Sequence, residues 1–195
     1  MGSIQSIRES LQKNLLIESF RDSAYLFDLD NTLFNTAARI IVMSNGKPVH
    51  KLTPEEFNTY QKQEGESFDF TQFDDPALFM NTAEPTYLLK VIKQINDAIE
   101  QGRSNSKIYL LTARSNKIKD AVLATLAKHG IKNIAGYLSA SEGAKEGRSI
   151  ADVKKEILQK VRSKHMGKVK FFDDDDANIN LAKTIPGVKA YKAKT

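Results

Sequence analysis

The chain has 195 residues, 41% of them hydrophobic and 27% charged, which is the balance of one globular domain, or of one domain with a sizeable insertion, and not of a disordered chain. It contains no cysteine, which excludes disulfides, cysteine-ligated zinc, iron–sulfur clusters and a thiol nucleophile, and its three histidines, His50, His129 and His165, are too scattered for a paired metal motif. The net charge of +5 is uneven: residues 1–106 carry −5 and residues 107–195 carry +10, so the second half can attract an anion, although solvated lysine-rich helix faces give the same count.

From the N-terminus, Ile4, Ile7, Leu11 and Leu15 stand at helical spacing and predict an amphipathic helix. Charges at Arg8, Glu9, Lys13 and Glu18 break the apolar core that a secretory signal needs, and no run approaches the roughly 18 apolar residues of a membrane span. A cytoplasmic protein is therefore expected. The first strand signal is Ala24–Tyr25–Leu26–Phe27, ending in Asp28. Further strands are predicted at Ile108–Leu111, ending in Thr112, around Ile134–Leu138, at Val169–Phe172, ending in four aspartates, and at Val188–Tyr191. Helical patterns fill the gaps: Thr86–Gln101, Ile118–Lys128, Ile150–Val161 and Ala177–Ile185. Strands alternating with helices predict an α/β fold with a doubly wound, mainly parallel five-stranded sheet. Ligands bind such sheets beyond the carboxyl ends of the strands, and three of these strands end there in Asp28, Thr112 and Asp173.

Residues 37–84 interrupt the alternation, so the expected organisation is a core of residues 1–36 and 85–195 carrying a small insertion. Inside it, Ile40–Met43, Asn45–Gly46 and Pro48–Val49 predict a hairpin, and Thr53–Pro54–Glu55–Glu56 a capped helix start. Phe57, Tyr60, Phe68, Phe70, Phe73 and Phe79 read as the insertion's own small core; a stacking platform for bases is the competing reading.

The chemistry is carried by Tyr25–Leu–Phe–Asp28–Leu–Asp30–Asn–Thr32–Leu–Phe34. Two carboxylates two residues apart, directly after a buried strand, can face one crevice. This Asp-x-Asp-x-Thr stretch resembles the first motif of the haloacid dehalogenase-like (HAD-like) phosphohydrolase superfamily. The later motifs of that superfamily have counterparts in order: Leu111–Thr112–Ala113–Arg114, then Lys154 at a helix start, then Asp173–Asp174 with Asn178 four residues beyond. The resemblance implies a Rossmann-like core with a cap after the first strand, and a phosphatase working through an aspartyl-phosphate. It implies Asp28 as nucleophile and Asp30 as the acid that protonates the leaving oxygen and then deprotonates water. For that Asp30 must hold a proton near neutral pH, which neighbouring carboxylates favour. It implies Mg²⁺ held by Asp28, the main-chain carbonyl of Asp30 and Asp174, with Thr112 and the N–H of Ala113 holding a phosphoryl oxygen. Lys154 would neutralise charge on the transferring group, with Lys155 as the one-residue alternative; Asp173 and Asn178 would support it. Arg114 is similar to the arginine of the phosphatase domain of phage polynucleotide kinases, where it serves the phosphate; an arginine reaching solvent or an acidic partner reads equally well.

The expected substrate is a small phosphorylated molecule or nucleotide, because residues 38–83 carry −3 and would repel a polyanion. A nucleic-acid end with a 3′-phosphate, suggested by the basic second half, is the alternative. A receiver-like phospho-acceptor domain fits less well, since its acidic pair lies on the first strand, and an inactive binding module is the remaining alternative. No membrane and no obligate protein partner are expected.

Overall fold

A computed structural model describes residues 23–145 and 147–194; the helix expected over residues 4–15 lies outside them. The five predicted strands are all present: β1 (Ala24–Phe27), β7 (Lys107–Thr112), β8 (Ile134–Ser139), β9 (Val169–Asp173) and β10 (Val188–Lys192). They pair in parallel in the order β10-β9-β1-β7-β8. The chain runs from β1 outward through β7 and β8, then returns to the other side of β1 through β9 and β10. The switch point therefore falls between β1 and β9, where an open α/β sheet leaves a crevice at its carboxyl edge.

Side-chain alternation on β1 divides the core. Tyr25 and Phe27 face one layer, with Ile108, Leu110 and the apolar faces of α3 (Leu88–Glu100) and α4 (Lys119–Lys128). Ala24 and Leu26 face the other, with Val169, Phe171 and the faces of α6 (Ile150–Lys164) and α7 (Asp176–Lys183). Parallel register sets Phe27, Phe172 and Tyr191 side by side, with ring centroids 4.7 Å and 5.0 Å apart. Among the described residues no helix is long and apolar enough to cross a membrane.

The interruption is a folded unit. β2 (Phe34–Asn35) and β6 (Glu84–Pro85) pair antiparallel, so the chain leaves and rejoins the core at adjacent points. Between them β3 (Ile40–Ser44) pairs with both β4 (Lys47–Leu52) and β5 (Glu66–Asp69) in a three-stranded antiparallel sheet. The β3–β4 turn is at Asn45–Gly46, both with positive φ, as a tight hairpin turn requires. Thr53 and Glu56 form the expected reciprocal cap of α1 (Pro54–Thr59).

The aromatic set divides in two. Phe57, Tyr60, Phe68 and Phe73 pack on Ile40, Val42 and Leu52 within the unit. Phe79 does not: it sits on α2 (Pro76–Thr82), 1% exposed in the main core, edge-on to Phe34 at 5.6 Å. The small-core reading is thus corrected for Phe79. A Pro at the first position and Asp75 as cap start α2, and the helix lies against α4 rather than on the small sheet.

Candidate active site

Leu29 is fully buried between Asp28 and Asp30, so the two carboxylates emerge on the same side of the turn that ends β1. The turn is closed by the N–H groups of Thr32, Leu33 and Phe34, all donating to the Leu29 carbonyl, and Asn31 takes the left-handed conformation that asparagine tolerates.

On α6, Lys154, Leu158 and Val161 recur at helical spacing and are all buried, the last two against the sheet. Lys154 is the member nearest the carboxyl edge, and its ammonium donates to Asp28 Oδ1 at 2.7 Å and Asp173 Oδ2 at 2.8 Å. Of the two lysines, Lys154 is 3% exposed and sits in the carboxylate cluster, whereas Lys155 is half-buried. Asp173 ends β9 and is fully buried. Its oxygens accept from Lys154, from Asn178 Nδ2 at 3.0 and 3.1 Å, and from the Asp175 N–H at 2.9 Å. Asp173 and Asn178 thus bond to each other beside Lys154. Asp174 accepts from Thr32 Oγ1 at 3.3 Å, which gives the motif threonine a task that spacing alone did not reveal.

Carboxylate oxygens of Asp28, Asp173 and Asp174 lie within 4.8 Å of one another. Burial raises the pKa of Asp28 well above the carboxylate range; Lys154 opposes this, and Asp173, Asp174 and Asp30 add to it. Burial, helped by Asp173, raises Asp174 to about 6. Burial works against the charge of Lys154, but Asp173 and Asp28 outweigh it and hold its pKa above the ordinary lysine value. A cluster of hard oxygen donors with this surplus of negative charge suits a divalent cation such as Mg²⁺. Since the oxygens of Asp173 are spent on Lys154, Asn178 and the backbone, Asp28 and Asp174 are the side chains left to ligate one.

Arg114 was expected to serve a phosphate or to reach an acidic partner. In the structure it is 2% exposed and forks onto Asp30, with Nε donating to Oδ2 at 2.8 Å and Nη2 to Oδ1 at 2.7 Å. Thr36 Oγ1 donates to Asp30 and accepts from Arg114, and Arg114 Nη1 donates to the Phe73 carbonyl at 2.9 Å. The guanidinium also lies over the Phe73 and Phe79 rings, at 4.9 and 5.0 Å. One arginine thus ties Asp30 to the inserted unit. Ser115 repeats the tie by donating to Asp74 Oδ1.

Thr112 is fully buried, and its hydroxyl oxygen accepts the Arg114 N–H at 3.1 Å. It is not part of the cavity wall, where Ala113, Arg114 and Ser115 stand instead. That cavity, of about 810 Å³, lies between the core carboxylates and the inserted unit, and is bounded by Asp28, Asp30, Lys154 and Asp174 on one side and Ile40, Phe57, Phe70 and Phe73 on the other.

Fold and site together define a doubly wound α/β protein with a carboxylate cluster suited to a divalent cation at its switch point. No protein-family model and no curated protein sequence matches the chain. Among the solved structures that resemble it are two of a HAD family enzyme from Bacteroides thetaiotaomicron. One is an aspartate-to-alanine mutant in complex with magnesium and inorganic phosphate, 17% identical, covering 89% of this chain and 96% of that one, with a TM-score of 0.46. The other is a magnesium complex, 14% identical, covering 90% and 94%, with a TM-score of 0.47.

Proposed function

We propose that the protein is a HAD-like, Mg²⁺-dependent phosphatase that hydrolyses a phosphate monoester through an aspartyl-phosphate. The observation that carries this reading is the buried contact of Lys154 with Asp28 and Asp173, at the switch point, beside Asp174. Bound Mg²⁺ would offset the carboxylate charge and let an anionic nucleophile meet an anionic phosphate.

Asp28 attacks phosphorus with one carboxylate oxygen, and the bond from phosphorus to the ester oxygen breaks. Asp30 protonates that oxygen, and the alcohol leaves. Asp30 then takes a proton from water as the water attacks phosphorus, which releases phosphate and restores the Asp28 carboxylate. Lys154 neutralises charge on the transferring group, and the N–H of Ala113 and the hydroxyl of Thr112 hold a phosphoryl oxygen, the latter after a small reorientation of the loop. Asp30 cannot donate a proton from an oxygen that accepts from Arg114. A phosphate entering the cavity offers Arg114 a competing acceptor, and part of the fork then opens. Residues 37–84 act as the cap over this site.

A receiver domain would have its acidic pair on the first strand; here Asp173 ends β9 and Asp174 follows it. The test is phosphate release from an aryl phosphate. It should require Mg²⁺, stop with excess chelator, and vanish in Asp28→Asn, which keeps size and removes charge. Turnover in either condition refutes the mechanism.

A further inference from the structure

The cavity has two chemically different ends. The core end carries Asp28, Asp30, Arg114, Lys154 and Asp174 among small and polar residues, whereas residues 40–73 present Ile40, Pro54, Phe57, Phe70 and Phe73 to the same space. Phe57 and Phe70 meet edge to face at 5.5 Å, and Phe70 is 47% exposed although it lines a concave wall. A large aromatic ring left half in water at the mouth of a cavity is a surface awaiting a ligand, since covering it removes apolar area from water.

Charge narrows the ligand further. Among the described residues the wall carries six aspartates and only two cations, Arg114 and Lys154. Both cations are already paired, Arg114 with Asp30 and Lys154 with Asp28 and Asp173. Lys117, outside the wall, is paired with Asp74 at 3.2 Å. A second phosphate at the aromatic end would meet Asp74 and no uncommitted cation.

From this we infer that the cavity takes a compound with a single phosphate on a flat, apolar, uncharged body that stacks on Phe70 and Phe57, and rejects bisphosphates and polynucleotide ends. This rests on the phosphatase reading for the place of the phosphate, but not for the place of the body.

Non-hydrolysable phosphonates separate the two, because their binding is read without turnover. Calorimetry with Mg²⁺ should show benzylphosphonate binding at least tenfold more tightly than ethylphosphonate. The para-xylylene bisphosphonate should bind at least tenfold more weakly than benzylphosphonate. Phe70→Ala should remove most of the benzyl preference and leave the ethylphosphonate affinity within twofold, while Phe70→Leu retains part of the preference. Equal affinity for benzyl- and ethylphosphonate, an intact preference in Phe70→Ala, or tighter binding of the bisphosphonate would each overturn the inference. If the benzyl preference holds but no phosphate ester is hydrolysed with Mg²⁺, the phosphatase reading falls and the aromatic subsite stands. If esters are hydrolysed without aromatic preference, the reverse is true.

Discussion

Lys154→Met is the sharpest probe of the site. The substitution keeps the length of the side chain and removes the ammonium that lies 2.7 Å from Asp28 and 2.8 Å from Asp173, at a position 3% exposed. Three carboxylates within 4.8 Å are then left without their cation, and in the absence of metal they must take up a proton. Protonating one aspartate at pH 7, about three units above its ordinary pKa at about 1.4 kcal/mol per unit, costs about 4 kcal/mol. Breaking a buried ion pair by removing one partner costs about 3–5 kcal/mol, which agrees. For a chain of this size that is a fall in Tm of about 6–20 °C. The sign of the pH dependence follows from linkage. In the variant the folded state binds the extra proton more tightly than the unfolded state does. The carboxyl pKa is raised by folding, so stability is highest near pH 4 and is lost as pH rises towards 7. The difference from wild type should therefore shrink on acidification, and Mg²⁺ at a hundred times its Kd should return about 2.7 kcal/mol. The assay is thermal unfolding with chelator or with Mg²⁺, at pH 5, 6 and 7. A variant within about 1 kcal/mol of wild type at pH 7, or a deficit independent of pH, would refute this account of the cluster.

Because burial raises Asp174 to about 6, Mg²⁺ affinity measured by calorimetry should fall as pH drops through that value, by about tenfold per unit from this group below it, and a flat profile from pH 5 to 8 would exclude Asp174 as a ligand. Phe172→Ala opens a gap between Phe27 and Tyr191 at a site 3% exposed, and should lower stability in urea by about 3–5 kcal/mol. Arg114→Lys cannot reproduce the fork on Asp30 while also holding the Phe73 carbonyl, so kcat for an aryl phosphate should drop more than tenfold and limited proteolysis within residues 40–74 should quicken; unchanged kcat would remove Arg114 from the positioning of Asp30. Replacing residues 40–69 with a short linker should leave the main sheet folded by circular dichroism, whereas replacing residues 38–83 also takes Phe79 from the core and should cost markedly more Tm.

The parallel sheet is legible in the sequence because its central strands β1 and β9 are buried on both faces and so read as short apolar runs cut off by a polar residue. The same cut-off singles out Asp28, Thr112 and Asp173; Asp28 and Asp173 line the cavity and Thr112 does not, while Asp174 is reached only through the family resemblance. Lys154 and Lys155 could not be separated by motif; the helix face shared with Leu158 and Val161 separates them. Other features depend on contacts between residues far apart in sequence. Arg114 meets Asp30 across 84 positions and the Phe73 carbonyl across 41. No local pattern distinguishes an arginine so held from one that waits for a phosphate. Phe79 looked like its aromatic neighbours, but the Asp75–Pro76 helix start turns α2 out of the small sheet and onto α4. Asn96 is a similar case: fully buried on the apolar face of α3, it accepts from the N–H groups of Lys132 and Asn133 and so fixes the loop before β8.

The charges of the site also explain its arrangement. Asp28, Asp173 and Asp174, with Lys154 among them, amount to −2 when all are ionised, the complement of one divalent cation. Burial and the neighbouring carboxylates raise the pKa values of Asp28 and Asp174, the direction expected where negative charge lacks a counter-ion. Asp30 and Arg114 form a separate pair that is neutral by itself. The loaded site would therefore approach neutrality before substrate arrives. A single phosphate could then enter without strong repulsion, drawn by Lys154, by the metal and by whatever part of the Arg114 fork it displaces. A second phosphate, lying towards Phe57, Phe70 and Asp74, would find neither metal nor uncommitted cation among the described wall residues. A metal with Lys154 at one end and aromatic rings at the other would thus select for the same thing, one phosphate on an apolar body.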